Sequence, residues 1–151
     1  MTRRWCPMSK EQLEANKNLL RRFVDAINKK QLDLLDELCS PNYVWHGIGS
    51  PNIREDVHGI QNFKKAVAEF TTAMPDLKVI IEDLVAERDR VAVRYTEIGT
   101  HTGATFAGIA PTGKRVEWTA VDIYRVENGK LAEEWFVDDS LGILKQLGAI
   151  K

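Results

Sequence analysis

The chain has 151 residues, 44% of them hydrophobic and 28% charged, and a formal net charge of -1. That length suits one domain with a core of its own, and the balance excludes intrinsic disorder. No basic excess is present to neutralise a phosphate backbone, so nucleic-acid binding is not expected.

Cys6 and Cys39 are far apart and lack metal or redox spacing, so both are read as reduced thiols. The N-terminal arginines precede no apolar stretch of signal-peptide length, and no later segment approaches a membrane span. No membrane association is expected, and a cytoplasmic location is the default.

A single domain is expected over 1–151, with 1–8 as a flexible tail. Ser9 and Gln12 have capping-box spacing, and Leu13, Leu20, Phe23, Val24 and Ile27 recur at helical intervals as far as Asn28. A short second helix is predicted from Gln31 to Leu38, ended by the turn chemistry of Ser40-Pro41-Asn42. Tyr43-Val44-Trp45-His46 reads as a short strand, followed by a loop over Gly47 to Asn52. A third helix is predicted from about Gly59 to Ala73, closed by Pro75.

From Leu77 the period becomes two, which predicts strands over Leu77 to Ala86, Arg90 to Thr102, Lys114 to Val126 and Lys130 to Val137. Tight connections at Glu87-Arg88-Asp89 and Glu127-Asn128-Gly129 make these antiparallel neighbours. A final short helix runs from Ser140 to Leu147, stopped by Gly148. Helices first and long strands afterwards define an α+β fold. The expected architecture is a strongly curved, cone-shaped antiparallel or mixed sheet, wrapped by N-terminal helices around a single pocket.

Side chains two apart share one face of a strand. Val116, Trp118, Ala120, Asp122, Tyr124 and Val126 therefore form a face that is apolar or aromatic except at Asp122. If that face meets the hollow, a single carboxylate stands in apolar surroundings, where desolvation raises its pKa toward the range useful for proton transfer. Asp122 is the candidate general acid/base. The competing reading pairs it with an arginine such as Arg94, or ties it to a hairpin backbone.

His46 and His101 fall near strand ends and are candidates to bind a substrate carbonyl or tune Asp122. His101 could instead tie its loop to a backbone carbonyl, and His58 reads as a cap or surface residue. Tyr43, Trp45, Trp118, Tyr124 and Trp135 are candidate walls for a planar ligand, although strand aromatics more often build a core or a dimer surface. Glu133, Glu134, Asp138 and Asp139 lack metal-site or glycosidase spacing and read mainly as a solvated face, with Glu134 or Asp138 as a possible secondary acid in the hollow. Asp138 and Asp139 also suit the start of the last helix. No metal site, nucleotide loop or serine-hydrolase elbow is present in the sequence, so no cofactor is expected.

Gly99-Thr100-His101-Thr102-Gly103, Pro111 through Val116, Val121 through Lys130, Glu133-Glu134-Trp135 and Leu141 through Gly148 together resemble the SnoaL-like polyketide (ester) cyclases. These lie in the fold group typified by nuclear transport factor two, scytalone dehydratase and ketosteroid isomerase. The resemblance extends from about Ser9 to Gly148. It implies a cofactor-free enzyme that closes a ring of an aromatic polyketide ester by intramolecular aldol condensation, with Asp122 at the position of the acid/base.

The expected partner is a small hydrophobic or aromatic carbonyl substrate. Isomerisation or dehydration would use the same groups, and a non-catalytic binding protein for a hydrophobic ligand is the alternative. A homodimer through the outer sheet face is also expected, from Val121 and Ile123 and from the fold group.

Overall fold

Helix α1 (Lys10–Asn28) begins where the capping-box spacing places it. Ser9 Oγ accepts from Gln12 N at 3.2 Å, and Gln12 Oε1 accepts from Ser9 N at 3.0 Å. Its buried face carries Leu19, Leu20, Phe23 and Val24. The computed structural model describes residues 8–47 and 55–151. A 3-10 turn (Leu32–Leu34) leads into α2 (Leu35–Leu38), followed by β1 (Cys39–Gly47), β2 (Val57–His58) and α3 (Ile60–Ala73). The second half holds β3 (Lys78–Glu87), β4 (Arg90–Thr100), β5 (Arg115–Glu127), β6 (Lys130–Asp138) and α4 (Ser140–Leu147).

The six strands form one sheet in the order β2-β1-β6-β5-β4-β3. The four long strands are antiparallel neighbours, as their short connections require. Asn128 (φ 52°) and Gly129 (φ 73°) supply the two positive φ values that an Asn-Gly hairpin uses. Strand β1 pairs in parallel with β6, so the sheet is mixed. Gly103 packs so close to the end of α3 that an added Cβ would lie 1.7 Å from Thr72 O.

Three details differ from the sequence reading. Ser40-Pro41-Asn42 does not form a turn outside the sheet. Strand β1 begins at Cys39, and these residues occupy a register shift between Cys39 and Val44, where a bulge accommodates proline's missing N–H. The two-residue β2 was not anticipated, because so short a pairing leaves no alternation to read. The long strands stop at Thr100 and start at Arg115 rather than at Thr102 and Lys114. Most of the predicted 47–52 loop, the 1–8 tail except Met8, and Cys6 lie outside the described residues.

The inner face of the sheet packs on α1 and α3 around Phe23, Phe63, Tyr43 and Tyr124, whose rings meet at centroid distances of 5.0–6.5 Å. A second cluster around Trp118, Met74, Ile143 and Leu147 seals the far end beneath α4. Along β5 burial alternates residue by residue: Val116 through Val126 on the even positions face inward, and Val121 and Ile123 face out. Among the described residues no helix is long and apolar enough to cross a membrane.

Candidate active site

Between the concave sheet and helices α1 and α3 lies a cavity of about 270 Å³. Its walls are mostly apolar, with Phe23, Val24, Phe63 and Phe70 from the helices and Trp45 and Phe136 from the sheet. Four strand carboxyls join them: Glu97 from β4, Asp122 from β5, and Glu134 and Asp138 from β6. Alternation explains the set. Positions 134, 136 and 138 share the inner face of β6, while Glu133, Trp135 and Val137 lie on the outer one.

Asp122 is 2% exposed and Glu134 3%. Tyr124 Oη lies 3.2 Å from Asp122 Oδ2 and 3.1 Å from Glu134 Oε1, and it accepts from Tyr95 Oη at 3.3 Å. Tyr43 Oη donates to Glu134 Oε2. Tyr124 Oη thus bridges the two carboxyls, and the charge of Glu134 acts on the titration of Asp122. Oδ1 of Asp122 receives no N–H or O–H from any described residue.

One tyrosine hydroxyl has a single proton for two carboxyls, so the contacts are satisfied when the acid pair carries a proton of its own. Burial, then the charges of Glu134 and Glu97, push the Asp122 pKa well above the usual carboxylate range. Burial pushes Glu134 up to about 7, against the opposing hydrogen bonds from Tyr43, Tyr124 and Asp122. The pair titrates as a unit.

Toward the other end of the cavity, burial pushes Glu97 up to about 8, reinforced by the charges of Asp138 and Glu134. Asp138 is raised as well, by burial, although Ser140 Oγ donates to its Oδ1. The expectation of one isolated carboxylate is thus corrected to a set of four. Glu134 and Asp138 both face the hollow, leaving only Glu133 and Asp139 toward solvent. Arg94 does not pair with Asp122. It points outward to Asp83 at 2.7 Å, as its position on the opposite face of β4 requires.

The histidines are not brought to the cavity. His101 is fully buried, with Nε2 3.0 Å from Ala104 O and Nδ1 3.4 Å from Thr112 Oγ1, so its ring ties together the 101–114 loop. His46 lies on the outer face with β6 residues, stacked on Trp135 and hydrogen-bonded to Asp56 (2.7 Å) and Glu133 (2.9 Å). Trp135 is therefore an outer-face residue, with the Arg90 guanidinium 5.1 Å over its ring.

Of the other expected wall aromatics, Trp45 and Tyr124 line the cavity, Tyr43 lies behind Glu134, and Trp118 belongs to the second core cluster. Asp139 caps α4 through Gly142 N at 2.9 Å, as expected. Glu97 was missed. The inward series Val91, Val93, Tyr95, Glu97, Gly99 carries the same signature that exposed Asp122, an acid amid buried positions two apart.

A cone-shaped sheet closed by helices over an acid-lined apolar cavity defines a small-molecule pocket protein of the nuclear transport factor two-like fold. The profile of the SnoaL-like polyketide cyclases matches residues 17–147, and the chain belongs to that family. It is 26% identical over 133 residues to the aklanonic acid methyl ester cyclase DnrD of Streptomyces peucetius, covering 87% of this chain and 89% of that one. Among solved structures, AclR, a proposed hydroxylase from Streptomyces galilaeus, is 31% identical with a TM-score of 0.79, over 92% of this chain and 99% of that one. A proposed SnoaL-like polyketide cyclase from Jannaschia sp. CCS1 shares the fold with a TM-score of 0.84 at 21% identity, over 95% and 99% of the two chains.

Proposed function

We propose that this protein carries out cofactor-free acid–base chemistry on a small hydrophobic carbonyl compound, with aldol ring closure of a polyketide ester as the preferred reaction. Isomerisation and dehydration draw on the same groups. The observation that carries the reading is Asp122, a buried carboxyl in the wall of a largely apolar cavity, with one oxygen that receives no hydrogen bond from an N–H or O–H group.

Asp122 is the base. Its partner Glu134 is held on both oxygens by Tyr43 and Tyr124, which fixes its position and leaves Asp122 as the member with a free acceptor. Because the pair shares a proton, it has one carboxylate to receive a proton from a carbon next to a carbonyl, and it can later return that proton. Raised pKa values suit this exchange, since a base poised near neutrality moves protons in both directions. The apolar walls exclude water and hold the substrate folded with its reacting carbons close.

The test uses Asp122→Asn with aklanonic acid methyl ester, the compound in the name of the Streptomyces peucetius relative, and with a panel of polyaromatic and steroid-like ketones. Ligand binding is followed by thermal shift, since a ligand selective for the folded state raises the melting temperature. Turnover should fall at least about 100-fold while affinity stays within about threefold. Ligand binding by a wild-type protein that turns over none of these compounds would instead favour a binding protein.

We also propose that the protein is a homodimer through its outer sheet face. Cross-strand neighbours there run Val85, Ala92, Ile123, Trp135 in one row and Val121, Val137 in the next. Val85, Val121, Ile123 and Val137 are 44–64% exposed. Paired charges beside the rows, Asp83 with Arg94 and Arg125 with Glu133, leave the patch near neutral, which suits a second copy of the same surface better than a strongly charged partner.

A further inference from the structure

Of the three buried carboxyls in the cavity wall, Glu97 alone has no hydrogen-bond partner among the described residues, although it is only 7% exposed. Its oxygens are not among the fully enclosed atoms that lack a partner, so they keep surface open to the cavity that the side chain lines, where a ligand or water can meet them. Its place along the sheet is set by register. Val93 pairs with Asp122 and Glu97 with Trp118. The two acids thus stand four residues apart on neighbouring strands, roughly 13 Å along the backbone. One extended or multi-ring substrate can touch both.

We propose that Glu97 is a second catalytic group of this cavity, a carboxylic acid that hydrogen-bonds the substrate carbonyl oxygen on which negative charge develops and protonates it as the ring closes. The inference rests on the acid–base reading given above and adds a residue and a step to it. Asp122 takes the proton from the carbon beside one carbonyl. The electron pair left on that carbon forms the bond to the second carbonyl carbon, and the π pair of that carbonyl moves to its oxygen. The oxygen then takes the Glu97 proton and becomes a hydroxyl. Substrate and product are isomers. Asp122 ends protonated and Glu97 ionised, and proton exchange with solvent restores both after release.

The surroundings keep Glu97 in the acid form that this step needs. Asp138 and Glu134 face it from β6, Asp122 from β5, Tyr95 from its own strand and Glu69 from α3, while α1 contributes only apolar side chains. Among the described residues no lysine, arginine or histidine lines the cavity to hold it ionised. Burial, reinforced by the charges of Asp138 and Glu134, keeps its proton on up to a pH of about 8. A preorganised donor in an apolar site is worth most where charge develops.

The experiment uses the full chain with the ester probe in deuterium oxide, comparing wild type, Asp122→Asn and Glu97→Gln. Two readouts are followed: deuterium uptake beside the carbonyl, and ring closure. Glutamine keeps the shape and can donate an N–H but cannot transfer a proton. Asp122→Asn should lose both readouts. Glu97→Gln should keep deuterium uptake within about threefold while closure falls at least about 100-fold, and the wild-type decline in closure above a pH of about 8 should be absent.

In the free protein at neutral pH, wild type should show a protonated-carboxyl infrared band beyond that of the Asp122–Glu134 pair, lost in Glu97→Gln, and identical protonated-carboxyl bands in the two proteins would overturn the assignment. Closure by Glu97→Gln within threefold of wild type overturns it too, while the Asp122 reading stands. Deuterium uptake undiminished in Asp122→Asn overturns that reading and this inference together.

Discussion

Three buried carboxyls in one cavity impose a pH dependence on the fold itself. Glu97 has an ordinary value of 4.5 and holds its proton to about 8 in the folded chain. Below 4.5 both folded and unfolded chains are protonated there, and between 4.5 and about 8 only the folded one is. Stability from this residue is therefore intact at low pH and is lost as pH rises through that window. Glu97→Gln should melt with wild type at pH 4 and above it at pH 8.5, by about 2–4 kcal/mol or roughly 5–10 °C, in a calorimetric or fluorescence scan. Equal melting at pH 8.5 would mean that Glu97 ionises freely.

Tyr43 bears on the Asp122–Glu134 pair, because its hydroxyl stabilises the Glu134 carboxylate. Tyr43→Phe should raise the titration of the pair and move the acidic limb of the activity profile upward by about one pH unit. A limb that stays in place would remove Tyr43 from the proton network.

At the scale of elements, two local features hold the cavity's ends in place. Gly103 N donates to Ala73 O at 3.1 Å and Ala104 N to Thr72 O at 3.2 Å, which fastens the loop carrying Thr105 and Phe106 to the end of α3. With Thr72 O lying where a side chain at residue 103 would begin, Gly103→Ala should cost about 2–4 kcal/mol and lower the denaturation midpoint, whereas Gly113→Ala, with no neighbour within 4 Å, should show only its backbone strain. Equal midpoints for the two variants would refute the packing argument.

Elements of this kind were largely legible beforehand. The helix starts, the hairpins and the inward face of β5 each rest on local spacing, which a single sequence carries. The placement of His46 and Trp135 was not legible, because it depends on β1 joining β6 from 89 residues away with side chains alternating in step. Glu97 was available to the same alternation argument that found Asp122, but its strand also carries Arg94 and Thr96 and reads as less apolar overall. Glu134 and Asp138 were only half legible, since four acids in seven residues suggest solvent until the pleat turns these two inward.

For the whole molecule, the outer sheet face decides the state of assembly. Val121→Lys places a charge between Arg94 on β4 and Val137 on β6 in the middle of the proposed contact. It should convert a micromolar dimer into a monomer by light scattering after size exclusion, with the melting curve of the domain retained. A wild-type protein that runs only as a monomer at that concentration would sink the dimer.

The parallel seat of β1 against β6 also governs how the protein can be made. Strand β1 leaves the ribosome about ninety residues before its neighbour, and Tyr43 cannot reach Glu134 until the last strand has emerged. During that interval α1, α3 and β1 have no finished sheet to cover their oily faces. The acid pair is thus completed only once β6 has emerged, so a stalled nascent chain that exposes as far as Asn128 should stay sensitive to protease, and one that exposes α4 should resist it.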